Sequence, residues 1–126
     1  MIFAVDIPPS TNRMYRRAGN IIHKSAEYRE WLVTAGWQLA AQCKGFNRIN
    51  SECAVELFAG KMHASRDVDS IIKPIGDFLQ HAQVVTNDRL IRDWRVAADD
   101  SVNSARGALL CDRAAGHWSA GDDGDA

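Results

Sequence analysis

Apolar and polar residues alternate from Met1 to Ile7, with Phe3, Val5 and Ile7 on one side and Ala4 and Asp6 on the other. This period of two marks a half-buried strand, which Pro8-Pro9-Ser10 brings to an end. The pattern lapses over Thr11 to Lys24, where Arg13, Arg16, Arg17 and Lys24 surround Tyr15 and the flexible pair Gly19-Asn20, and this stretch reads as a basic loop. From Ser25, a suitable N-cap, Tyr28, Leu32, Ala35, Leu39 and Cys43 recur at helical spacing, and Gly45 stops the run. Ala54 to Ala59 predicts a second strand, with Val55, Leu57 and Ala59 opposite Glu56 and Phe58. A second amphipathic helix begins near Asp69, on the three-four spacing of Val68, Ile71, Ile72, Ile75, Phe78, Leu79 and Ala82. Pro74 falls near its first turn, where a missing N–H does least harm. Thr86-Asn87-Asp88 is a turn, and Leu90, Trp94 and Val96 share one face of a third strand. Past Ala97 the periodicity fades. Residues 98–126, rich in Ala, Gly, Ser and Asp, are expected to form a loosely ordered, partly disordered extension in which Leu109, Leu110 and Trp118 pack only locally.

Length and composition fit one domain, placed at residues 1–97: the chain has 126 residues, 46% apolar and 25% charged. No uncharged apolar run approaches the roughly 18 to 20 residues that span a bilayer, and Asp6 precedes any basic residue, so neither a membrane span nor a signal peptide is expected. Cys43, Cys53 and Cys111 lack metal-site spacing and read as free thiols, which makes the cytoplasm the default compartment. The net charge of -1 divides unevenly: residues 1–95 hold 13 Lys+Arg against 10 Asp+Glu, and residues 96–126 hold 2 against 6. A basic body with an acidic tail permits a polyanionic partner without requiring one.

The residues best suited to chemistry are Asp67, Asp69, Lys73 and Asp88. On a still-extended junction ahead of the second helix, Asp67 and Asp69 would point the same way. Lys73 follows Asp69 by four residues and shares its helix face, and Asp88 heads a strand able to bring a third carboxylate. Three carboxylates at one point need a cation, and hard oxygen donors suit Mg²⁺ or Mn²⁺ rather than Zn²⁺. A magnesium site beside a lysine is suited to phosphoryl transfer. On residue types alone the ordinary reading stays ahead: Asp69 as an N-cap, Asp67 as an anion favoured by the helix dipole, Lys73 as a solvated side chain and Asp88 as a turn former. His23, His63, His81 and His117 are scattered and take no role, and Trp31 and Trp37 read as packing residues.

The balance changes with the whole series of motifs. Pro8-Pro9-Ser10-Thr11-Asn12-Arg13-Met14-Tyr15, Ser25-Ala26 opening a helix, Asp67-x-Asp69-Ser70-x-x-Lys73-Pro74-x-x-Asp77, and Asn87-Asp88 before a strand resemble, in order and spacing, the RusA family of Holliday-junction resolvases over roughly residues 3–96. The resemblance implies a small mixed β-sheet flanked by two main helices, an α/β (α+β) fold. It further implies a homodimeric, Mg²⁺-dependent endodeoxyribonuclease that nicks four-way junction DNA in recombination and repair, in a bacterial or phage setting. Its catalytic carboxylates and metal ligands fall on Asp67, Asp69 and Asp88, and its essential lysine on Lys73. Beside such a centre, Arg13, Tyr15, Arg16, Arg17, Lys24 and Arg66 are expected to hold DNA. Three positions depart from the family pattern: Ser70 for the usual Asn, Gln83 for a common Gly, and Asn87 for the first of a frequent Asp-Asp pair. The alternatives are a catalytically silent nucleic-acid-binding relative and a small interaction domain working through its acidic tail.

Overall fold

The computed structural model of the chain describes residues 1–60 and 67–110. Among them, strands and helices follow in the order β1 (Ile2–Val5), β2 (Tyr15–Ala18), β3 (Ile21–Lys24), α1 (Ala26–Gln42), β4 (Cys53–Ala59), α2 (Ile72–His81), β5 (Ile91–Ala98) and β6 (Ala105–Leu110), a mixed α/β architecture. The four-stranded sheet has the order β1-β6-β4-β5. β6 runs antiparallel to both its neighbours, while β4 and β5 are parallel. A parallel pair needs a crossover, and α2 lies within it.

Register decides which residues meet the helices. Phe3, Gly107, Leu57 and Val96 form one cross-strand row, and Val5, Ala105, Ala59 and Ala98 the next. On this side Phe3, Val5, Leu57, Ala59, Ala105 and Leu109 are buried together with Leu32, Ala35 and Leu39 of α1 and Ile75, Phe78 and Leu79 of α2. Gly107 is required by packing: a Cβ there would stand 2.5 Å from Cζ of Phe3 and 3.0 Å from Cδ2 of Leu57. The open edge of β1 is covered by side chains of α1. Gln42 accepts the Ala4 N–H at 2.7 Å and donates to the Ala4 carbonyl at 2.6 Å, and Gln38 accepts the Asp6 N–H at 2.9 Å. An edge satisfied in this way offers no template for a further strand.

Both helices have the expected cores and more closely defined ends. Ser25 caps α1 by accepting the Tyr28 N–H at 3.1 Å, and its own hydroxyl donates to the Arg13 carbonyl. The 3₁₀ turn Val68–Ile71 precedes α2, in which Pro74 is buried in the first turn. At the other end the Gln83 N–H donates to the Gln80 carbonyl at 3.0 Å and the Val84 N–H to the Leu79 carbonyl at 2.9 Å, with Gln83 at φ +63°. These bonds form a Schellman cap, whose left-handed position favours glycine. A glycine would take this conformation freely, whereas Gln83 adopts it at some steric cost.

The structure differs from the sequence reading in several places. Thr11 to Lys24 is a 3₁₀ turn and the antiparallel hairpin β2-β3 rather than a loop, with Gly19 at φ +64° in the two-residue connection. Residues 105–110, expected in a loose extension, form β6 in the middle of the sheet, so the ordered chain runs well past Ala97. In β5 the buried residue is Ile91, not Leu90, because β5 advances from Ile91 to Asp93 while β4 advances one residue, and this irregularity reverses the alternation. Trp31 packs in the core as read, whereas Trp37 is 74% exposed. Trp118, Cys111 and the rest of 111–126 lie outside the described residues.

Candidate active site

Asp67 has extended dihedrals, φ −71° and ψ 141°, and its carboxylate makes no capping hydrogen bond to the 3₁₀ turn that follows. Its carbonyl accepts the Ser70 N–H at 3.1 Å, and that of Asp69 accepts the Ile72 N–H. Asp69 thus belongs to a helical turn, not to the extended chain that the alternation argument assumed. Both carboxylates are exposed at the N-terminal approach to α2, where the backbone's partial positive charge favours anions.

Asp88 reaches the same helix from the other side of the crossover. It opens the 3₁₀ turn Asp88–Leu90, for which Asn87 is the N-cap, accepting the Arg89 N–H at 2.9 Å. Asparagine caps as well as aspartate does, so the departure at this position keeps the local geometry. The Asp88 N–H donates to Oε1 of Gln80 at 2.8 Å, and its Cβ lies 3.9 Å from where a Cβ on Gly76 would stand. A small residue at Gly76 is what lets Trp94 and Asp88 approach α2 so closely.

Asp67 and Asp69 are therefore at the start of α2 and Asp88 is against its side. Among the described residues no three His, Cys, Asp or Glu side chains converge closely enough to hold an ion. In donor chemistry the set fits a divalent cation, since carboxylate oxygens are hard ligands. Among the described residues no hydrogen bond or ion pair of these three side chains would have to be broken first.

Lys73 lies in the first turn of the helix, four residues on from Asp69, and faces a cleft of about 470 Å³ that also includes Tyr15, Lys24, Asp77, Gln80 and Thr86. Its Nζ is 3.8 Å from Oδ1 of Asp77, four residues on. The other oxygen of Asp77 accepts two phenols, Tyr28 at 3.0 Å and Tyr15 at 3.3 Å. Burial, reinforced by the Asp77 charge, pushes the Tyr28 hydroxyl well above its ordinary value, and the same causes raise Tyr15. Both phenols therefore remain donors throughout the neutral range.

The expected DNA-contacting residues divide. Tyr15 and Lys24 are cross-strand partners at the base of the hairpin and line the cleft with Lys73. Arg16 and Arg17 are exposed further along it, opposite His23 and Ile22. Arg13 is engaged by Glu27 at 3.1 Å, and Arg66 lies outside the described residues. Sequence reasoning gave Asp77, Tyr28, Gln80 and Gly76 no role in the site, although Asp77 stood in the quoted motif and Tyr28 on the apolar face of the first helix. The spacing of Lys73, Asp77 and Gln80 along one helix face was the available signal for two of them.

The endodeoxyribonuclease RusA family model matches residues 6–108, a span that holds the acidic motif with Lys73 and Asp88, the hairpin and the first four residues of β6. A crossover junction endodeoxyribonuclease RusA from Aquifex aeolicus (strain VF5) is 32% identical over 84 residues, an alignment covering 66% of this chain and 66% of the relative. Match, fold and motif order agree, and the chain belongs to the RusA endodeoxyribonuclease family.

Proposed function

We propose that this chain is a structure-selective DNA endonuclease that resolves four-way junctions by paired nicking in recombination and repair, acting as a two-fold dimer. The observation that carries the reading is the family match over residues 6–108, which includes Asp67, Asp69, Lys73 and Asp88 around a single helix. To hold a divalent ion, Mg²⁺ with Mn²⁺ as substitute, Asp67, Asp69 and Asp88 would have to draw together from their separate positions. When bound, that ion supplies Lewis acidity toward the scissile phosphate and an acidified water. Lys73 orients the attacking water or offsets charge on the pentacovalent phosphate. The hairpin arginines, Lys24 and Tyr15 hold the DNA backbone beside the cleft, with Arg13 and Arg66 as further DNA-contacting residues. A junction offers two equivalent strands, and an isologous dimer presents two identical sites across it.

The test is cleavage of a synthetic four-way junction with Mg²⁺, comparing wild type with Asp67→Asn, Asp69→Asn and Asp88→Asn. Each variant should lose cleavage and retain binding, because each removes a ligand and a negative charge. Wild-type cleavage by any of them at saturating Mg²⁺ removes that residue from the ligand set. Salt-dependent binding with no cleavage by the wild type would identify a silent relative instead.

A further inference from the structure

Asp77 joins three side chains of the described residues, Tyr15, Tyr28 and Lys73. It is 24% exposed, and its oxygens are used differently: Oδ2 accepts phenols from β2 and α1, while Oδ1 is turned toward Lys73. Two donors arriving from separate elements fix the plane of the carboxylate. Lys73 is different in character: its side chain is 62% exposed and has four rotatable bonds. A pair this open, at 3.8 Å, adds little to the stability of the fold. The phenols need Asp77 for their own satisfaction, but nothing in the packing requires Lys73 to join them. What the contact does accomplish is to restrict where the ammonium group of a flexible lysine resides.

We infer that Asp77 is a positioning residue: with its carboxylate held by Tyr15 and Tyr28, it orients Lys73 toward the scissile phosphate. The inference rests on the proposed role of Lys73 in cleavage. Asp77 meets Tyr15, Tyr28 and Lys73, and acts through the lysine. Because the raised phenols stay protonated, the clamp on Oδ2 persists through the neutral range, and the orientation of Lys73 does not depend on their titration.

The experiment is a double-mutant cycle on the single-turnover cleavage rate at saturating junction, with junction affinity and melting temperature measured on the same proteins. Asp77→Asn should lower the rate roughly 10- to 100-fold, the loss expected when a catalytic group is misplaced by an ångström or less, and leave affinity nearly unchanged. In the Lys73→Ala background, followed for as long as its residual rate requires, Asp77→Asn should cause no further loss. If Asp77→Asn does not fold, Tyr15→Phe replaces it, removing one of the two phenol donors, and its smaller rate loss should likewise vanish without Lys73. Equal losses in the two backgrounds would mean that Asp77 acts on the site in general and would overturn the inference. An unaltered rate in Asp77→Asn and Tyr15→Phe, with Lys73→Ala impaired, refutes the inference alone. A wild-type rate for Lys73→Ala refutes the catalytic lysine and this inference with it.

Discussion

Tyr28→Phe removes one oxygen from the core and nothing else. The wild-type ring is fully buried, stacks with Trp31 at 6.1 Å between centroids, and donates its hydroxyl to Oδ2 of Asp77 at 3.0 Å. A hydrogen bond to a charged acceptor contributes about 1.5–3 kcal/mol. Asp77 keeps Tyr15 and Lys73 and some access to water, so the low end applies, about 1.5 kcal/mol. With an unfolding entropy of about 2.1 cal/mol/K per residue, that loss lowers the melting temperature by roughly 6 °C. The same hydroxyl has a second signature. Its pKa is raised in the folded state above the ordinary 10.0, so above pH 10 the unfolded chain releases a proton that the folded chain keeps. Stability from this group is thus complete below pH 10 and falls as pH rises, reaching a loss of about 1.4 kcal/mol at pH 11 relative to the Phe variant. Denaturant unfolding of the two proteins should show a gap of about 1.5 kcal/mol at pH 7 that has nearly closed at pH 11. A variant equal to wild type at pH 7, or a gap unchanged at pH 11, would show that the Tyr28–Asp77 bond does not have the strength assigned to it.

Three further outcomes follow from particular contacts. Gly107→Ala should destabilise by about 2 kcal/mol in denaturant unfolding, because its methyl would overlap the Phe3 ring in a filled row of the sheet; a neutral effect would argue against β6 in the sheet centre. Gln83→Gly should be more stable than Gln83→Ala by about 1 kcal/mol, since only the first relieves the left-handed strain and both lose the exposed bond from Gln83 Nε2 to the Gln80 carbonyl. Replacing Arg16 and Arg17 with Ala should weaken junction binding and reduce the slope of log affinity against log salt by about 1.8, as expected for two phosphate contacts. Arg13→Ala should change the slope less, Glu27 already being its partner.

Much of the fold was legible because its main elements bury one face each. The period of two in β1 and β4 and the three-four spacing of α1 and α2 are direct consequences of that burial, and Ser25 caps where its chemistry suggested. The hairpin had no such face. From Arg16 to Lys24 every residue is exposed, Ile21 and Ile22 included, so no buried face imposes an apolar–polar alternation, and only Gly19-Asn20 signalled a turn. β6 was hidden by the opposite cause. Its core positions are Ala105, Gly107 and Leu109, small where Phe3 and Leu57 already fill the space, so a central strand looks compositionally like a linker. In β5 the irregularity beside Cys53 shifts the burial from Leu90 to Ile91, a change of parity that no single-strand pattern can contain.

The candidate site divides in the same way, according to how far apart in sequence its parts are. Asp67, Asp69 and Lys73 fall within seven residues and were legible as a motif, and Asp88 followed from the resemblance in spacing. Asp77 was in the same motif, yet a lysine and an aspartate four apart on a helix form the most ordinary of surface pairs. What distinguishes this one is supplied from elsewhere: Tyr28 is 49 residues away in sequence and Tyr15 is 62. Neither tyrosine sits in a pattern pointing at α2, and Tyr28 alone looks like any core aromatic on an amphipathic helix. The fold makes the difference by bringing the hairpin and the start of α1 to Asp77, next to the residues of α2, Ile75, Phe78 and Leu79, that pack with α1 in the core. One helix thereby carries the carboxylates at its start, the lysine a turn later and the anchor for that lysine a turn beyond. A residue that acts by holding another is invisible in sequence until the elements that hold it in turn have been brought together.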